Sequence, residues 1–212
     1  RDVQLVRPRL DVLRHDGRVI TETSLMLEYL DAAFPQTPLS PQSPADRYQM
    51  HVWLRTSDDY FAPALCLLGW QLTNTATTLA PATVKAARAG FSRLPPERQA
   101  VWNAALNGYG EEQLTAAHNA LGVVAGRMET TLAGTGWLAG SGYGLADIAI
   151  FPMARALARL VPELLNENAT PQVMQWLRRI AARPAVTKVL RLARTPAPEA
   201  MFAPGPEPGR WG

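Results

Sequence analysis

Strand-forming sequence is confined to the first 35 residues, where a tight hairpin runs straight into a helix. Asp16-Gly17 is a two-residue hairpin signal, because both central positions of a type I′ turn need positive φ. Val19-Ile20 supplies the return strand. A helix is predicted from about Thr23, with Leu25, Leu27, Leu30 and Phe34 apolar, Glu28 and Asp31 polar, and Pro35 helping to end it. From Arg47 onward the pattern is helical almost throughout. A small strand-bearing piece followed by an all-helical bundle narrows the possible architectures.

The join, Thr21-Glu22-Thr23, is the most specific point in the chain. A helix N-terminus has unpaired N–H groups and a positive dipole end, so it is a natural seat for a carboxylate. Glu22 beside it suits an ammonium group. A ligand with an α-amino and an α-carboxylate group satisfies both. The plainer alternative is an ordinary helix cap, with Thr21 or Thr23 as the capping side chain.

Other classes are disfavoured by composition. Hydrophobic residues make up 47% of 212, enough for a sizeable core, and the net charge of +3 is no nucleic-acid footprint. Cys66 is the only cysteine, so an intrachain disulfide and a multi-cysteine metal cluster are excluded. As a lone cysteine with apolar flanks it reads as a core residue rather than a nucleophile. His15, His51 and His118 lack a metal-ligand spacing, so no metal is expected. There is no membrane-length apolar run and no signal pattern, so a soluble cytoplasmic protein is expected.

Four segments follow: a strand-bearing piece over 1–35, a linker with three prolines over 36–46, a helical domain over 47–195 and a Pro-rich tail over 196–212. Within the helical domain, 47–70 carries Met50, Trp53, Leu54, Phe61, Leu65 and Leu68 as candidate core, with Pro63 expected to kink or break it. Shorter helices are predicted over 81–90 and 96–107. The cleanest periodicity runs over 111–132, with Leu114, Ala117, Leu121, Val124, Met128 and Leu132 three or four apart. The helix from Leu145 to about Arg159 is apolar on most sides and belongs inside a bundle. Pro171 and Pro184 open two more helices.

Three stretches together make the chain resemble the glutathione S-transferases. The first is Asp16-Gly17-x-Val19-Ile20-Thr21-Glu22-Thr23 with Glu28-Tyr29-Leu30-Asp31-Ala32-Ala33-Phe34-Pro35 behind it. The second is Trp137-Leu138-Ala139-Gly140 followed by Leu145-Ala146-Asp147-Ile148-Ala149, and the third is Trp176-x3-Ile180-x2-Arg183-Pro184-Ala185-Val186. Met50-His51-Val52-Trp53 through Gly69-Trp70, and Val161-Pro162-Glu163 to Pro171, are most similar to bacterial lignin β-etherases of that family.

The resemblance implies an α+β chain: a partial thioredoxin-like piece followed by an all-α bundle. It also implies that Glu22 and Thr23 hold the γ-glutamyl end of glutathione, the co-substrate, and that Val12 offers backbone groups to its cysteinyl part. Trp53, Tyr60, Phe61 and Trp70 are candidates for an aromatic-ether pocket, or else ordinary core. The implied reaction is displacement of a phenolate by the glutathione thiolate. The family usually dimerises, so a homodimer, or a heterodimer with a similar chain, is expected.

The family's first β-α-β unit, which normally carries the thiol-activating residue, has no counterpart in this sequence, so the catalytic residue is unknown. The sequence therefore admits two readings: further residues precede it, or the chain is a catalytically silent subunit that pairs with a complete transferase. Gly144 stands where the family usually has Ser or Thr capping the central helix. Asp147 is expected to bond back to that turn and to be structural, with Asp147→Ala costing about 1–2 kcal/mol.

Overall fold

The computed structural model describes residues 3–6 (as backbone), 12–92 and 94–191; the proposed tail over 196–212 lies outside the described residues. Strands β1 (Val3–Val6), β2 (Val12–His15) and β3 (Arg18–Ile20) form an antiparallel sheet in the order β1-β2-β3. Val6 pairs with Val12, and Leu13 with Ile20. The β2–β3 turn has Asp16 at φ 46° and Gly17 at φ 77°, the positive pair that the Asp-Gly sequence predicts.

Helix α1 (Thr23–Ala33) follows the hairpin after two residues, and α2 (Pro44–Thr56) takes in the last three residues of the stretch read as linker. Pro44 stands in the first turn of α2, where its missing N–H costs nothing, and Ser43 caps it with a 3.5 Å contact to the Asp46 N–H. The connection is held from both sides. Asp31 of α1 accepts from the Leu39 N–H at 2.6 Å and the Ser40 N–H at 3.1 Å, while the Leu39 carbonyl accepts from the Leu145 N–H at 3.2 Å.

Pro63 does not break the following helix. The chain passes from α2 through a π-helical turn, Ser57–Phe61, into α3 (Ala62–Thr73), and the Ala62 N–H bonds back to the Ser57 carbonyl. A proline ring clashes with the carbonyl four residues earlier; the wider π turn makes room for it. The turn also exposes Asp58, Asp59 and Tyr60 in succession between buried Ser57 and buried Phe61.

Helices α4 (Pro81–Phe91) and α5 (Pro96–Asn107) pack on each other. They are joined to the end of α3 by the Trp70 indole, which donates to the Ala105 carbonyl at 2.8 Å, and by Gln71, which accepts from the Tyr109 N–H at 2.9 Å. The core forms between α2, α3, α6 (Glu111–Thr135), α7 (Leu145–Leu160) and α8 (Pro171–Ala181), with α9 (Pro184–Arg191) outside it. α7 is central, with Leu145, Ile150, Met153 and Leu157 all buried, as its apolar sequence requires. Glu129 of α6 caps α8 from a distance, accepting from the Gln172 and Val173 N–H groups at 3.1 and 3.0 Å. No described helix is long and apolar enough to cross a membrane.

The start of α7 explains the departure at Gly144. A Cβ built there meets the Leu39 carbonyl oxygen at 2.5 Å, so the connection occupies the space that a capping side chain needs. Restoring the family's residue with Gly144→Ser should therefore destabilise the protein by about 1–3 kcal/mol, since overpacking against backbone forces a shift. A denaturant midpoint at or above that of the unaltered protein contradicts this.

Candidate functional site

The N-terminus of α1 carries no side-chain cap. Glu22 is the residue at the boundary, and neither Thr21 nor Thr23 fills the capping role that the sequence allowed them. The first intrahelical bond runs from the Met26 N–H to the Glu22 carbonyl at 2.8 Å, so the N–H groups of Thr23, Ser24 and Leu25 precede the helical ladder. An anion placed against them meets three donors and the positive end of the helix dipole.

Glu22 has φ 67° and ψ 115°. A non-glycine residue there stores about 1–3 kcal/mol of strain, which persists only where the surroundings enforce it. Here the enforcing geometry is local: β3 ends at Ile20 and α1 begins at Thr23, so two residues must reverse the chain. Glu22 is half-buried and Thr23 is exposed. Sequence periodicity gives no sign of this strain.

The π turn meets the same helix end. The Ser24 hydroxyl donates to Asp58 Oδ2 at 2.6 Å. This contact joins residues 34 apart in the chain, and sequence reading missed it. Next to it, Asp59 pairs with Arg55 at 3.0 Å, and Glu28 with His51 at 3.5 Å. Beneath the hairpin, buried His15 bonds through Nδ1 to the Tyr29 hydroxyl at 2.8 Å and packs against Phe34.

Val12 begins the middle strand in register with Val6, so strand pairing competes for the backbone groups expected to serve a ligand. The four aromatic candidates are not brought together. Trp53 and Phe61 are fully buried in the bundle core, and the Arg127 guanidinium lies 4.8 Å from the Trp53 ring centre. Trp70 belongs to a separate cluster with Trp102 and Ala105, and Tyr60 is 64% exposed on the π turn. Packing explains Trp53, Phe61 and Trp70; only Tyr60 is free to meet a ligand. A cleft of about 450 Å³ runs along α1, lined by Leu27, Leu30, Phe34, Leu39 and Ile148, and none of the four aromatic candidates lines it.

Cys66 is partly buried, and desolvation pushes its thiol up to about 11. It is therefore protonated at neutral pH and a poor nucleophile, as its apolar flanks imply. Among the described residues, no cluster of His, Cys, Asp and Glu can hold a metal ion.

Comparison with known proteins places this geometry in a family. The family model described as the C-terminal domain of glutathione S-transferase matches residues 85–184. The protein LigF of Sphingobium sp. strain SYK-6 is 33% identical over 194 residues, covering 89% of this chain and 76% of that one. The crystal structure of that β-etherase superposes with a TM-score of 0.74 over 86% of this chain and 77% of the other. A glutathione transferase from Pseudomonas putida, solved with glutathione disulfide bound, shares the fold at TM-score 0.61 and 22% identity, covering 86% of this chain and 69% of that one. With LigF 33% identical over 89% of its length, this chain belongs to the glutathione S-transferase family.

Proposed function

We propose that this protein is a glutathione transferase that cleaves β-aryl ethers of lignin-derived aromatics, and that the start of α1 holds the γ-glutamyl end of glutathione. The observation that carries the site is the uncapped helix N-terminus beside the strained Glu22. The free N–H groups of the first turn and the Thr23 hydroxyl suit the α-carboxylate, and the Glu22 carboxylate suits the α-ammonium. The likeness to LigF supports the ether substrate.

In the proposed reaction the glutathione sulfur attacks the carbon that bears the aryl ether, next to a ketone. A C–S bond forms, the C–O bond breaks, and the phenolate leaves with the electron pair and takes up a proton. The products are a glutathione thioether and a free phenol. Holding the tripeptide by one end makes that displacement effectively unimolecular once the ether is bound. The residue that activates the thiol is unassigned; Cys66, with its raised pKa, is not a candidate for a thiolate of its own.

The test is phenol release from a β-aryl ether ketone in the presence of glutathione, with the thioether identified by mass. Release well above the rate with glutathione alone is expected, and a rate equal to that background overturns the reading. We also read the protein as a cytoplasmic dimer, in line with its family and its single cysteine; sedimentation at micromolar concentration checks the dimer.

A further inference from the structure

We propose that helices α8 and α9 form a docking surface for an anionic lipid bilayer, with Arg183, Lys188 and Arg191 meeting the headgroups and Val189 entering the interface. This goes beyond the glutathione reading and is independent of it.

The first observation is where the charge lies. Residues 168–198 hold six of the 21 lysines and arginines, Arg178, Arg179, Arg183, Lys188, Arg191 and Arg194, and no aspartate or glutamate. The rest of the chain carries 15 cations against 18 acids, so the positive excess comes entirely from this stretch. Arg178 is paired with Glu167. Among the described residues, Arg183, Lys188 and Arg191 have no carboxylate partner, and all three are exposed.

The second observation is how the cations are presented. The Arg179 guanidinium lies 3.6 Å from the Trp137 ring centre and that of Arg183 3.8 Å from the Tyr143 ring centre, and the two rings meet edge to face at 5.7 Å. Stacking orders both side chains before a partner arrives, so less freedom is lost on docking. α9 packs on α8. Its Val186 and Leu190 pack against the core, while Lys188 and Arg191, one turn apart, are exposed. Val189, between them in sequence, is 64% exposed. An apolar side chain among cations gains nothing from a phosphodiester backbone. At a bilayer it does, because an interfacial helix lays apolar side chains into the headgroup region between its basic ones. Clusters of about four to eight cations bind leaflets that carry anionic lipid, at about fivefold in affinity per residue.

The experiment is co-sedimentation of the full chain with phosphatidylcholine vesicles, with and without phosphatidylserine, at about 0.1 M salt. Binding should require phosphatidylserine and should fall at least tenfold at about 0.5 M salt, where the screening length is shorter. The double variant Lys188→Gln/Arg191→Gln should weaken binding about 25-fold, with an unchanged melting temperature, because neither side chain has an ion pair to lose. Val189→Ser should weaken it severalfold at both salt concentrations. Equal binding to vesicles without phosphatidylserine, no binding to either, or unaltered binding by the double variant overturns the proposal. Release from vesicles by inorganic phosphate at constant ionic strength overturns it in favour of a discrete anion site. Tighter binding to duplex DNA than to the vesicles overturns it in favour of a nucleic acid. Phenol release with glutathione should be the same in the double variant, and failure of that reaction in the unaltered protein leaves the lipid surface standing.

Discussion

Asp147→Ala is expected to cost about 3–5 kcal/mol and to lower the melting temperature by about 10 °C, the largest stability effect of any single change considered for this protein. The carboxylate is fully buried and accepts from the Trp176 indole at 2.7 Å, the Leu138 N–H at 3.2 Å and the Gly144 N–H at 3.0 Å. Alanine orphans all three donors in the core, and each buried unsatisfied group costs about 1–3 kcal/mol. The sequence exposes only the link to the turn, hence its smaller expected penalty of about 1–2 kcal/mol for a lost cap. Asp147→Asn should cost less, because Oδ1 still serves Leu138 and Trp176 and only the bond from Gly144 is lost. A midpoint for Asp147→Ala within about 1 kcal/mol of the unaltered protein sinks this account.

The same residue should leave a mark on the pH dependence. Burial pushes the Asp147 carboxyl above the ordinary carboxylate range, against the bonds from Trp176, Gly144 and Leu138 that pull it down. Between the ordinary value and the raised one, the native protein binds a proton that the unfolded chain does not. The contribution of Asp147 to stability therefore rises as pH falls through that window, and above it the burial penalty stands in full. Asp147→Asn should abolish that component, which a series of unfolding curves from pH 7 downward can resolve.

Much of the bundle is legible in the sequence because it follows from periodicity. The spacing over 111–132 puts Ala117, Leu121, Val124, Met128 and Leu132 on one buried face, and the structure extends the helix by three residues to Thr135. The apolar run from Leu145 likewise fixes α7 as the central helix. Over 47–70 the residues read as core, Met50, Trp53, Leu54, Phe61, Leu65 and Leu68, are all buried, yet the segment is not one regular wheel. A π turn adds one residue to the helix and rotates everything after it by about 100°, so no single wheel describes both sides of Pro63. That is why Trp53, Tyr60, Phe61 and Trp70, read as possible neighbours in a pocket, separate into core, surface, core and a second cluster.

The other illegible features are long-range and polar. Asp58 with Ser24, Asp147 with Trp176 and Glu129 with the start of α8 join residues 34, 29 and 43 or 44 apart, and no local pattern marks either partner. Gly144 is an intermediate case. Its departure from the family's Ser or Thr is visible in the sequence, but the cause is the Leu39 carbonyl, which only the fold brings within 2.5 Å of a Cβ at that position. The local sequence places the helix start at about Thr23, and the resemblance implies a role there for Glu22 and Thr23; the structure adds that this end is uncapped and strained, with Ser24 donating to Asp58.

Glu22→Gly should separate binding from stability in opposite directions, which makes it the sharpest single test of the proposed site. Glycine tolerates positive φ far better than glutamate, so the substitution relieves the strain at φ 67°. Part of that gain is offset by the greater freedom of glycine in the unfolded chain, and the net expectation is a stability unchanged or higher by up to about 1 kcal/mol. Binding should move the other way. Removing the carboxylate proposed to face the ammonium should weaken glutathione by tenfold or more, the scale of a charge-assisted hydrogen bond at about 1.5–3 kcal/mol. A residue kept only for its place in the turn gives a different pattern, since relief of strain then leaves affinity untouched. Melting curves and calorimetric titration on the same preparation decide between the two. Strain retained at the cost of stability is the signature of a site residue, and unaltered glutathione affinity in Glu22→Gly removes the case for Glu22 as a ligand.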